Sequence, residues 1–104
     1  MASTVIGAGI TIEGEIVSDD DVAIHGVVRG KIDAKDAVSI EQGATVEADV
    51  SGSEVTVGGQ LTGNVSATDR VVIAAGARVV GDVKAARFTI QDGAQFKGHV
   101  DMDV

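Results

Sequence analysis

Val71-Val72-Ile73-Ala74-Ala75-Gly76-Ala77-Arg78-Val79-Val80-Gly81-Asp82-Val83 decides the fold. It holds two short runs in which aliphatic residues alternate with other types, Val71-x-Ile73 and Val79-x-Gly81-x-Val83. Alternation with a period of two is the mark of a strand. The pattern recurs on both sides. Toward the C-terminus, Phe88-x-Ile90 precedes Phe96-x-Gly98-x-Val100. Toward the N-terminus come Val55-x-Val57 with Leu61-x-Gly63-x-Val65, Val38-x-Ile40 with Val46-x-Ala48-x-Val50, and Val22-x-Ile24 with Val28-x-Gly30-x-Ile32. Thr4-x-Ile6 with Ile12-x-Gly14-x-Ile16 comes first. The units start at 4, 22, 38, 55, 71 and 88, so the successive periods are 18, 16, 17, 16 and 17 residues.

A near-constant period carrying one side-chain pattern predicts a solenoid of about six stacked coils, each strand pairing with its equivalent in the next coil. At about 4.8 Å per coil the rod is roughly 29 Å long. A helical reading fails because no stretch keeps apolar residues at i, i+3, i+4 and i+7 for three turns. A hairpin meander needs reversing turns, and Asp92-Gly93 is the one pair of that kind.

Glycines punctuate the pattern. Gly9, Gly43, Gly76 and Gly93 each follow an Ile by three residues and are expected at corners with positive φ. The corner is two residues shorter after Ile24 and Val57. Gly14, Gly30, Gly63, Gly81 and Gly98, with Ala48 as a small substitute, are expected to face inward where the walls of a narrow coil approach closely. Ser18, Ala34, Gly52, Ala67 and Ala85 are a further small position.

Composition narrows the function. The 104 residues include two Phe, no Tyr or Trp, no Pro, no Cys and 14 Gly, with a net charge of −8. Small β-branched side chains must fill the core. Disulfides and thiolate metal sites are excluded. The acidity argues against nucleic acid and against electrostatic adhesion to an acidic membrane. Residues 1–3 have no signal-peptide character, and no apolar run approaches the length of a membrane span, so a cytoplasmic location is expected.

Four features of the sequence bear on chemistry. Gly26-Val-Val-Arg-Gly30-Lys31-Ile32 is a poor phosphate loop, with three residues between its glycines and Ile after the Lys, and it fits the strand repeat. A left-handed hexapeptide β-helix enzyme would place an aliphatic every six residues, whereas spacings of two, four, five and six are mixed here. A trimeric zinc hydratase needs three His ligands. Only His25 and His99 exist, four coils apart and both expected to face outward. Asp19-Asp20-Asp21, near Glu15 and Asp33, lacks the spacing of a calcium loop and is expected to be a solvated corner. No catalytic, cofactor or metal residue is assigned. The Lys and Arg residues fall mostly in outward slots, as do the acids, and interleaved side charges are expected to discourage lateral clumping.

One coil alone cannot offset its ordering entropy, so stability must come from stacking. The end coils are stacked on one side only, and the sequence offers no helix or long loop to cover them. Open ends of matching cross-section predict end-to-end association. The expected C-terminal contact is Phe88, Ile90, Phe96 and Val100, and the N-terminal one Ile6, Ile12 and Ile16. Phe88 and Phe96 occupy inward slots held elsewhere by Val, Ile or Leu. Plugging the core and forming the interface are both open to them.

Thr4-Val-Ile-Gly-Ala-Gly-Ile-Thr-Ile-Glu-Gly-Glu-Ile16, Val27-Val-Arg-Gly-Lys-Ile32 and Gly93-Ala-Gln-Phe-Lys-Gly-His-Val100 together resemble the core domain of the bactofilins. The resemblance spans about residues 4–102, leaving a tail at 1–3 and an end at 103–104. It implies an all-β, single-stranded right-handed β-helix of six triangular windings. It also implies a bacterial cytoskeletal protein that polymerises without nucleotide or cofactor and scaffolds other proteins. Members carry tails with membrane-binding elements, and no such element is visible here. A non-polymerising interaction module on the same solenoid is the alternative.

Overall fold

A computed structural model describes residues 4–7 and 9–102; the expectations for residues 1–3 and 103–104 lie outside them. The strands in chain order are β1 (Thr4–Ile6), β2 (Thr11–Ser18), β3 (Val22–Ile24), β4 (Val27–Ala34), β5 (Ala37–Ile40), β6 (Thr45–Val57), β7 (Gln60–Thr62), β8 (Val65–Ile73), β9 (Arg78–Ala85), β10 (Arg87–Ile90) and β11 (Gln95–Met102). Every pairing is parallel and joins one coil to the next. The register follows the repeat: Ile6, Ile24, Ile40, Val57, Ile73 and Ile90 form one column. Ile12, Val28, Val46, Leu61, Val79 and Phe96 form a second. Ile16, Ile32, Val50, Val65, Val83 and Val100 form a third. Each coil therefore offers three faces, called here A, B and C in that order. The molecule is a β-solenoid of about six coils, 31 × 24 × 21 Å.

The columns are the core. Ile24, Ile32, Ile40, Leu61 and Ile73 are fully buried, and no polar or charged residue is buried among the described residues. Each inward aliphatic contributes roughly 1.5–3 kcal/mol by burial. Stacking like on like keeps the cross-section constant, so every coil fits the one below it.

Three corners join the faces. Between A and B, four coils make a turn in which an N–H bonds the carbonyl three residues back: Ile10 to Gly7, Ala44 to Glu41, Ala77 to Ala74 and Ala94 to Gln91. Gly9, Gly43, Gly76 and Gly93 occupy the third position at φ of 84–91°, the left-handed geometry that a type II turn demands. The shorter corners bring Gly26 and Gly59 hard against the turn of the preceding coil. A Cβ on Gly59 would collide with the Ala44 and Glu41 carbonyl oxygens.

The second set of glycines corrects an expectation. Gly14, Gly30, Gly63, Gly81 and Gly98 do not point into the core. They form the B–C corner at φ of 128–143°, and Gly30 is exposed between the buried Val28 and Ile32. What they meet lies along the axis, not across the coil. A Cβ on Gly30 would run into the Gly14 carbonyl, one on Gly81 into that of Gly63, and one on Gly98 into that of Gly81. Ala48 stands in this column without a positive φ and is buried.

The C–A corner contains Asp19-Asp20-Asp21, and it is more built than a solvated bend. The Ala37 N–H donates to Asp21 Oδ1 at 3.1 Å. The Asp20 N–H donates to Ser18 Oγ at 3.2 Å, and Asp19 pairs with Lys35 of the next coil at 3.5 Å.

Candidate functional site

The two ends of the solenoid are the surfaces at which its construction stops. In the first coil β1 pairs only with β3 and β2 only with β4; in the last, β10 pairs only with β8 and β11 only with β9. The outer edges of these strands carry no further strand among the described residues. A parallel ladder ending this way presents unpaired N–H and C=O groups, a template for another strand.

Burial falls off toward both ends. At the C-terminal end Phe88, Phe96 and Val100 are half-buried, packed on the core from one side, and Ile90 is 45% exposed. In the columns beneath them, Val71, Val79, Val83 and Ile73 are fully enclosed. Phe88 and Phe96 meet edge to face, with ring centroids 5.5 Å apart and planes at 86°. Edge-to-face is an arrangement that aromatic pairs prefer, and it joins the two rings in one apolar surface at this end. At the N-terminal end Ile12 and Ile16 are half-buried, whereas Ile6 is 3% exposed. The structure brings Phe88, Ile90, Phe96 and Val100 together on one coil, and Ile6, Ile12 and Ile16 on another five coils away. Three exposed apolar residues of the first coil escaped the sequence reading, Val5 (61%), Ile10 (48%) and Val17 (66%). Val5 and Val17 sit in outward slots of the repeat, and Ile10 closes the A–B corner turn.

The sides carry ion pairs between coils. Arg29 bridges Glu13 at 3.7 Å and Glu47 at 3.1 Å, and Arg70 meets Glu54 at 3.0 Å. All are substantially solvated and each contributes at most about 1 kcal/mol. His25 and His99 are both exposed, in coils two and six. Residues 27–34 around Lys31 lie in β4, paired on both sides, so the glycine-lysine stretch is a strand and no phosphate cradle. Among the described residues no cluster of His, Asp or Glu has the arrangement of a metal site, and no helix is long and apolar enough to cross a membrane.

Comparison with known proteins agrees with this geometry. Residues 4–101 match the family model for bactofilin, described as polymer-forming cytoskeletal. Bactofilin BacO of Myxococcus xanthus (strain DK1622) is 50% identical over 104 residues, covering all of this chain and 82% of its own length. Bactofilin BacN of the same organism is 57% identical over 100 residues, covering 96% of this chain and 88% of itself. The solid-state NMR structure of the cytoskeletal bactofilin BacA superposes with a TM-score of 0.87 at 24% identity, covering 98% of this chain and 97% of that one, a likeness of fold. This β-solenoid, whose outermost strands carry no further strand among the described residues and which these relatives match along its length, belongs to the bactofilin family of polymer-forming cytoskeletal proteins, which are structural proteins and not enzymes.

Proposed function

We propose that this chain polymerises end to end, without nucleotide, and that the resulting filament scaffolds other proteins at a cytoplasmic site. Self-association follows from the family. That it occurs through the ends rests on the contrast between a fully enclosed middle and half-buried outer coils whose strand edges are unpaired. Phe88, Ile90, Phe96 and Val100 form one contact surface; Ile12 and Ile16 form the other, with Ile6 supporting them from inside the coil. A right-handed winding of triangular coils belongs to the same proposal.

Stacking a further coil encloses the half-buried side chains and extends the ladder by another 4.8 Å step. Neither event needs phosphate chemistry. The purified chain, examined by electron microscopy without nucleotide, forms filaments. Phe96→Arg leaves a β-rich monomer by circular dichroism and abolishes them, because a charge then lies in the apolar surface with no partner. Normal filaments from the folded Phe96→Arg variant would exclude this end as the contact.

A further inference from the structure

Face B divides into two halves of different chemistry. In coils one to three its outward charges are Glu13, Arg29 and Glu47, which are equivalent in register. Arg29 lies between the two glutamates and bridges both, so this half satisfies its own charges. In coils four to six the outward residues are Gln60, Thr62, Arg78, Val80, Gln95 and Lys97, all exposed. This half holds two cations and no acid, in a chain of net charge −8. Neither Arg78 nor Lys97 forms an ion pair among the described residues. Val80 stands beside them, 37% exposed. A groove of about 680 Å³ follows the step between coils five and six, with Arg78, Val80, Phe96 and Lys97 in its lining. Acids stand only at the margins. Glu47 is held by Arg29 in coil three, Asp92 lies in the A–B corner, and Asp82 lies past the B–C corner.

We propose that this half of face B docks an extended acidic segment of a scaffolded protein. The proposal deepens the scaffolding reading above and rests on it. Two unpaired cations beside exposed apolar surface are complementary to carboxylates on a chain that also carries aliphatic residues. Arg78 and Lys97 are one coil and two residues apart, about 8 Å by the strand spacings. Alternate side chains of an extended chain lie about 7 Å apart on one side. Carboxylates at i and i+2 therefore reach one cation each, and an adjoining aliphatic side chain covers Val80. The amides of Gln60 and Gln95 and the Thr62 hydroxyl offer further donors. The backbone groups of these strands pair along the axis, so recognition is by side chains and not by strand addition. The densest acidic corner of another copy is the poorer occupant, because Asp19 and Asp21 are already engaged by Lys35 and by the Ala37 N–H.

One exposed site with two charge contacts is weak and is screened by salt. In the filament the site recurs once per subunit, roughly every 29 Å. A partner with several acidic segments, or several partners held together, then binds through many such sites at once. The six side chains point away from the axis, so end-to-end stacking leaves them open.

Fluorescence anisotropy of a short labelled peptide alternating Glu with Thr and Val, titrated with the protein at low ionic strength, tests this. Sedimentation of the protein alone is read in parallel. The parent binds the peptide and does not bind its counterpart with Lys in place of Glu. Arg78→Glu with Lys97→Glu weakens binding by about tenfold or more. Lys31→Glu with Lys84→Glu, the same charge change on face C, leaves it within about twofold, because those cations are not in the patch. Arg78→Gln with Lys97→Gln also weakens it, which keeps the test informative if the glutamates disturb the fold. No binding by the parent, or equal loss in the face C pair, would overturn the site and leave polymerisation, read from sedimentation, intact. Binding without sedimentable protein would remove the filament and support the site. Vesicles of phosphatidylserine and phosphatidylcholine bound through Arg78 and Lys97, with no binding of the peptide, would assign the patch to a lipid surface and overturn the proposal. A patch that holds another copy instead would show no peptide binding by the parent and lost sedimentation in Arg78→Glu with Lys97→Glu, which likewise overturns it.

Discussion

Gly81 and Gly14 occupy equivalent positions in the repeat, yet the structure asks different things of them. Both have positive φ, 131° and 136°, which costs an L-residue about 1–2 kcal/mol. Gly81 also lies against the carbonyl of Gly63 in the coil before it, where a Cβ has no room, whereas a Cβ on Gly14 would meet nothing within 4 Å. Gly14→Ala should therefore lower stability by about 1–2 kcal/mol. Gly81→Ala should cost more, about 3 kcal/mol or above, since it adds a backbone displacement that breaks the ladder on both sides. Urea denaturation of filament-blocked Phe96→Arg monomers carrying each change measures the difference. Equal losses would mean that φ alone, and not the approach between coils, governs this corner. The repeat marked Gly at both positions, because spacing reveals which residue type recurs. It misassigned the direction, because facing the core and facing the next coil both exclude a side chain.

The coil is the unit of folding and of change. Within each face its inward columns, including Val22, Val38, Val55, Val71 and Phe88 on face A, keep fixed offsets, and only the corners vary, by two residues at A–B and by one at C–A. The latter appears as the register shift between Gly52 and Glu54. Removing one whole period should therefore be tolerated where removing a similar length out of phase is not. Deletion of residues 38–54 joins Ala37 to Val55, which is already the column partner of Val38, and restores every inward slot. A deletion of about 12 residues within the same stretch leaves about five residues of a coil behind, so the aliphatics that follow no longer line up with the columns of the neighbouring coils. The first variant should be soluble and β-rich by circular dichroism; the second should aggregate or unfold. If both behave alike, nearest-neighbour stacking is not what holds the coils.

At the scale of the molecule, charge opposes assembly. The chain carries −8, and residues 4–21 of the first coil hold Glu13, Glu15, Asp19, Asp20 and Asp21 with no Lys or Arg. Like-charged subunits repel whichever ends meet. Raising ionic strength from about 10 mM to about 150 mM shortens the screening length from about 30 Å to about 8 Å, so the sedimentable fraction should rise across that range. A fall would show that attraction between opposite charges, not apolar stacking, holds the contact. The paired aromatics fit the apolar account: Phe88 and Phe96 fill slots given to smaller aliphatics in the lower coils and are half-buried where those are enclosed.

The sequence by itself determined the coil count, the boundaries at 4, 22, 38, 55, 71 and 88, the inward columns and the corner glycines with positive φ. All of these depend on local alternation and on a period that must match between neighbours, and both are written along the chain. Tertiary structure alone decided which surfaces are open. The roles of the B–C glycines, the corner bond from the Ala37 N–H to Asp21, and the burial of Ile6 beside the exposure of Ile90 depend on which residues sixteen to eighteen positions apart become neighbours along the axis. The periodic pattern brings those residues into line, but the closeness of their approach is set by the wound backbone.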